Sequence, residues 1–126
     1  MKNLAAIALL VVSTLFAVAN KGYAQTSGPD VILGKWVNED KTRTMEFVRN
    51  GTLYDGVIVS ADNKEIVGKT VMIGLKYSGS DYQGKLFLPK RGKTFPCTAK
   101  LNDNNTMEIT GNAGFASKSK TWTRVR

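Results

Sequence analysis

From Ile32 onward this chain repeats one pattern: apolar and polar residues alternate in short runs, and each run stops at a turn signal. Alternation with a period of two places successive side chains on opposite faces of an extended backbone. Such a run buries one face and wets the other only as a strand. In "TFPCTAKL", for example, Phe95, Cys97, Ala99 and Leu101 fall on one face and Thr98 and Lys100 on the other. The same reading predicts strands at Ile32–Asn38, Arg43–Arg49, Thr52–Ser60, Thr70–Tyr77, Tyr82–Leu88, Thr94–Leu101, Thr106–Gly111 and Lys120–Val125. The separators "NEDK", Asn50-Gly51, "SGSD", "KRG" and "NDNN" suit tight connections, and Asn-Gly is a strong hairpin signal. One joint, "ADNKEIVGK", is longer and reads as a loop or a single turn. Nothing after residue 24 has helical periodicity.

Eight short antiparallel strands make a sandwich or an up-and-down barrel. Closure removes the exposed sheet edges. Gly56, Gly74, Gly84 and Gly111 sit inside strands, where glycine marks the bulges and sharp bends a small barrel needs. The expected fold is therefore all-β: a small eight-stranded antiparallel up-and-down barrel. Alternation assigns its inner face to Trp36, Met45, Phe47, Val71, Ile73, Leu75, Tyr77, Leu86, Leu88, Phe95, Cys97, Met107, Ile109 and Trp122. Glu46, Lys76, Lys85, Lys100, Glu108 and Thr123 fall on the other face. A barrel of eight strands is just wide enough to be filled by its own side chains or to hold one small ligand.

The N-terminus has the marks of a secretory signal peptide. Lys2 precedes an apolar run of 16 residues from Leu4 to Ala19, and Gly22-Tyr23-Ala24 offers a cleavage site before Gln25. A spanning helix needs about 20 apolar residues, so no stable membrane insertion of the mature chain is expected. Residues 1–24 are read as the signal, 25–31 as a linker and 32–126 as the barrel domain. With Lys2 and Lys21 removed, 16 basic residues face 10 acidic ones. The basic residues are mostly scattered, with clusters only at Lys90 to Lys93 and Lys118 to Lys120, which reads as a soluble surface. Export argues against a nucleic-acid partner. The single Cys97 cannot form an internal disulfide, and its place on the apolar face predicts a buried, inert thiol.

The two ends of the domain carry a resemblance. Gly34-Lys35-Trp36 in the first strand and Arg124 in "TWTRVR" resemble lipocalin-like barrels, in which an Arg near the end packs over the Trp and closes the base. That resemblance implies barrel closure by Gly34, Trp36 and Arg124, with Trp122 buried beside them. Gly34 would let the backbone approach Trp36. The stretches "ILGKWVNED", "GTLYDGVI", "GKTVMIGLKYSGSDYQGKLFLPKRGKTFPCTAKL" and "MEITGNAGF…SKTWTRV" further resemble domain-of-unknown-function family 2147. Its members are small exported bacterial proteins with no assigned activity. The resemblance implies a bacterial periplasmic or secreted protein.

The chain has no histidine, which excludes Ser-His-Asp and Cys-His nucleophile systems and removes the commonest metal ligand. Asp55, Asp62, Glu65, Asp81 and Asp103 read as turn or loop-end residues, and no carboxylate pair stands out. "NDNN" lacks the closing Glu of a calcium loop and reads as turn chemistry. No catalytic, cofactor-binding or metal residue is assigned, and the expectation is a monomeric protein that is not an enzyme and carries no cofactor. Two functional readings stay open. In one, the barrel binds a small apolar or amphipathic ligand in the envelope, entering at the end away from Trp36. Phe47, Leu75, Tyr77, Leu86 and Phe95 would form its apolar lining, and Tyr54 and Tyr82 would add polar contacts. In the other, the barrel is filled and its outer face meets an envelope partner. The first is favoured on fold analogy alone. A cavity of about 300 Å³ or more would discriminate in its favour.

Overall fold

The computed structural model describes residues 28–126 except 115. The expected signal peptide, residues 1–24, and the first three residues of the linker lie outside the described residues. Val31–Arg126 is one compact unit; of the other, residues 1–30, only Gly28–Asp30 are described. Eight strands follow one another: β1 (Gly34–Asn38), β2 (Arg43–Asn50), β3 (Leu53–Ala61), β4 (Thr70–Tyr77), β5 (Tyr82–Leu88), β6 (Lys93–Leu101), β7 (Thr106–Ala113) and β8 (Ala116–Arg124). Each pairs antiparallel with the next, and β1 pairs with β8, so the sheet closes into a barrel in sequence order. The all-β up-and-down barrel is thus the observed architecture.

Three strand limits differ from the alternation reading by more than one residue. Ile32 ends a 3-10 turn, Gly28–Ile32, instead of starting β1, though its side chain is still fully buried. β7 and β8 extend towards each other as far as the pair Ala113↔Ala116. Residues 116–119, "ASKS", have no apolar alternation to announce a strand. Backbone pairing with β7 makes one there, helped by a 2.8 Å hydroxyl contact between Thr110 and Ser119 on the outer face.

A bulge corrects part of the inner face. Ile73, expected inside, is 39% exposed, while Met72 beside it is fully buried. The pairing of β4 with β5 slips between Ile73 and Lys76, and Gly74 has a φ of 62°. Glycine adopts that left-handed conformation without a Cβ clash. The Gly74 N–H donates to Asp55 Oδ1 at 2.8 Å, and Asn50 Nδ2 donates to the other carboxylate oxygen at 2.9 Å. Asp55 is therefore no loop-end residue. It lies within β3 and accepts the backbone donor that the bulge turns towards it.

Gly56 and Gly84 are where the barrel is tightest. A Cβ on Gly84 would stand 2.7 Å from the Ile73 carbonyl oxygen and 2.8 Å from Leu75 Cδ2. Neighbouring backbone cannot yield as a flexible side chain can. Gly84→Ala is expected to lower stability by about 1–3 kcal/mol, the usual cost of overpacking. Urea denaturation checks this; an unchanged midpoint would mean that the close approach constrains nothing.

Antiparallel succession sorts the connections between two ends of the barrel. The start of β1, the β2–β3, β4–β5 and β6–β7 turns and the end of β8 gather at one end, and the remaining connections gather at the other.

Candidate functional site

The first end is sealed. The Arg124 guanidinium carbon lies 4.3 Å from the centroid of the Trp36 ring. Its nitrogens donate to three carbonyls: Nε to Asn104 at 2.6 Å, Nη1 to Leu33 at 2.9 Å and Nη2 to Val31 at 2.6 Å. Trp36 is fully buried, and its Nε1 donates to the Ile32 carbonyl at 2.9 Å. One planar cation thus ties the chain before β1, the β6–β7 turn and the Trp36 face to β8. Burial, and then the charge of Arg126, lower the Arg124 pKa from its ordinary value. Gly34 has a φ of 116°, and the atom facing its missing Cβ is Arg124 Nη1 at 3.3 Å. Its close neighbour is therefore the guanidinium, and not Trp36 as expected.

The half of the interior next to this seal is filled. Phe47, Tyr54, Leu75 and Tyr82 are at most 2% exposed. The Tyr54 and Tyr82 rings meet edge to face, with centroids 5.7 Å apart. Tyr77 is half-buried against Tyr82, and its hydroxyl donates to the Gly79 carbonyl at 3.0 Å. These five residues were expected to line a ligand site; they are packing instead. They lie late in β2 and β4 and early in β3 and β5, which are the segments that meet at the Trp36 end.

The other half holds a cavity of about 500 Å³. Leu86 and Phe95, also expected to line a site, do stand on its wall. Sequence reading missed much of the rest: Ile66, from the 3-10 turn Lys64–Ile66 between β3 and β4; Met72, turned inward by the bulge; and Gly111, whose missing Cβ would be 3.2 Å from Leu86 Cδ2. Trp122, 9% exposed, also lines the cavity from β8. Arg43, Arg91, Lys118 and Lys120 line the cavity as well, with no Asp or Glu among the described wall residues.

Two other features have local roles. Asp103 accepts hydrogen bonds from the N–H groups of Asn105 and Thr106 and from the Thr106 hydroxyl. These hydrogen bonds, that of Asn105 foremost, lower its pKa, as befits the turn chemistry read for "NDNN". Cys97 is buried, and desolvation raises its pKa to about 11 against a smaller opposing effect of a backbone hydrogen bond from Gly84. Among the described residues no group of three or more His, Cys, Asp or Glu side chains comes together.

A closed antiparallel barrel, sealed at one end and hollow towards the other, defines the class to which this molecule belongs. The chain is a member of the family described as uncharacterized protein conserved in bacteria (DUF2147), whose model matches residues 34–124. That match begins at the first residue of β1 and ends at the last of β8, so the family unit is the barrel itself. No curated protein and no solved structure matches the chain significantly.

Two predictions follow from the seal and the thiol. Trp36→Ala is expected to cost about 3–5 kcal/mol, as loss of a large core aromatic does. Arg124→Lys should fall between wild type and Arg124→Ala, because an ammonium cannot reproduce a planar fork reaching three carbonyls. Denaturation midpoints that hardly move would refute the seal. Cys97 should resist thiol reagents until the protein unfolds. Its folded pKa is raised, so the stability tied to its neutral form is complete below about 9 and is lost as pH climbs towards 11. Cys97→Ala should flatten that alkaline decline; an identical profile would show that other groups cause it.

Proposed function

We propose that this is an exported, monomeric bacterial binding protein that takes one small apolar or amphipathic molecule into the barrel without transforming it. The observation that carries this reading is the cavity of about 500 Å³, inside the range of about 300–1,000 Å³ usual for small-ligand sites. Its apolar wall has no packing partner on one side and forfeits dispersion contacts that a guest would supply. The alternative, a filled barrel that meets an envelope partner through its outer face, suits the Trp36 half of the interior and leaves the hollow half without a role. Export rests on Lys2, the run from Leu4 to Ala19 and Gly22-Tyr23-Ala24. It puts the encounter in the periplasm or outside the cell, away from nucleic acid. The absence of histidine in the chain fits binding better than catalysis.

A homologous series of neutral alkyl alcohols, competing with a fluorescent apolar probe, tests the reading. Each added methylene should tighten binding about fourfold until the cavity is full, following about 0.8 kcal/mol per buried methylene. Leu86→Trp, which fills the cavity, should weaken binding, while Leu75→Met in the packed half should leave it nearly unchanged. Failure of every probe on folded protein would sink the proposal.

A further inference from the structure

We infer that the cavity is selective for an anionic amphiphile, whose charged head meets a cationic ring formed by Arg43, Arg91, Lys118 and Lys120. This inference rests on the binding role proposed above. The carrying observation is where β8 points its lysines. Residues directly opposite in an antiparallel pair share a face of the sheet. Lys120 is opposite Ile109, Lys118 is opposite Gly111, and Trp122 is opposite Met107. Ile109 and Met107 are buried core residues and Gly111 lines the cavity. Both lysines therefore project, in line with Trp122, to the side of the sheet that continues the barrel's inner face beyond the closed β1–β8 ladder. The intervening Ser119 pairs with Thr110 on the outer face.

Arg43 repeats the arrangement from another strand. It is opposite buried Ala61 and two residues before buried Met45, so it too faces inward. Arg91 joins from the β5–β6 turn. All four are solvent-exposed at the end away from Trp36.

Cations on an inner face are unfavourable against apolar surface unless water or an anion meets them. In this barrel they form the rim of a site whose floor is Met72, Leu86, Phe95, Ile109 and Trp122. Four acids, Glu39, Asp40, Asp62 and Glu65, lie in the connections at the same end, and none of them lines the cavity; the Glu39 carboxylate accepts the Thr121 N–H at 2.9 Å. An apolar body below a cationic rim matches a hydrocarbon chain bearing one carboxylate or phosphate head. Arginine suits such heads through its paired donors, and lysine adds point charge.

The test uses three probes with the same chain, dodecanoate, dodecanol and dodecyltrimethylammonium, each displacing the neutral dye N-phenyl-1-naphthylamine at low salt. Dodecanoate is expected to bind at least about tenfold more tightly than the other two, as charge-assisted hydrogen bonds to one head allow. The preference should shrink in 0.5 M salt. In the variant R43Q/R91Q/K118Q/K120Q it should vanish. K118Q/K120Q alone should remove about half of it on a logarithmic scale, guarding against a fold defect in the fourfold variant. Acetate should displace no dye, since it lacks the apolar body. Equal binding of dodecanoate and dodecanol overturns the inference and leaves the binding role standing. A preference that survives in the fourfold variant also overturns it, and absence of dye binding overturns both.

Discussion

The contact between Arg124 and Trp36 is the interaction on which the barrel depends. A sheet of eight strands has two free edges until its last strand meets its first. Here that meeting is short: three residue pairs join β1 to β8, whereas eight join β7 to β8. A brief ladder needs help from side chains. Arg124 supplies it by stacking on Trp36 and donating to carbonyls on both sides of the seam. A guanidinium over an indole is worth about 0.5–2 kcal/mol, more where water is excluded. Two further bonds extend the seam, from Val125 N–H to the Lys35 carbonyl and from Thr121 N–H to Glu39.

Sealing one end also divides the interior. Large side chains from β2, β3, β4 and β5 crowd towards Trp36, and the Tyr54–Tyr82 edge contact completes that layer. The far half keeps its cavity among Met72, Leu86, Phe95, Ile109 and Trp122 and ends in cations. Gly56 packs against both layers: a Cβ there would lie 2.7 Å from Met45 Sδ and 3.0 Å from Met72 Cβ and from Phe47 Cε1. The packed half holds the strands in register, so the hollow half can remain lined and open. The packed core and the cavity thus sit in different layers of one small barrel.

Most of the architecture was legible because period two leaves little choice: each run must be a strand with one face buried. The Gly34-Lys35-Trp36 and Arg124 ends were legible through resemblance. The site was less so, for reasons that particular residues show. Size and face put Phe47, Tyr54, Leu75, Tyr77 and Tyr82 in a lining, but the end of the barrel that each occupies matters as much. That signal was present: in an up-and-down barrel, late residues of even strands and early residues of odd strands share the end where β1 begins. The same rule places Leu86 and Phe95 at the other end. Parity along β8 would also have turned Lys118 and Lys120 inward with Trp122, where clustering alone suggested a surface. The slip at Gly74 was not legible, since it depends on Asp55 across the sheet.

Methyl-resolved NMR during titration with dodecanoate addresses the central claim, that one end is structural and the other receives a ligand. The account predicts shifts concentrated at Met72, Leu86 and Ile109, with Leu75 and Met107 little changed. Shifts centred on Leu75, or on outward Val48 and Val59, would contradict it.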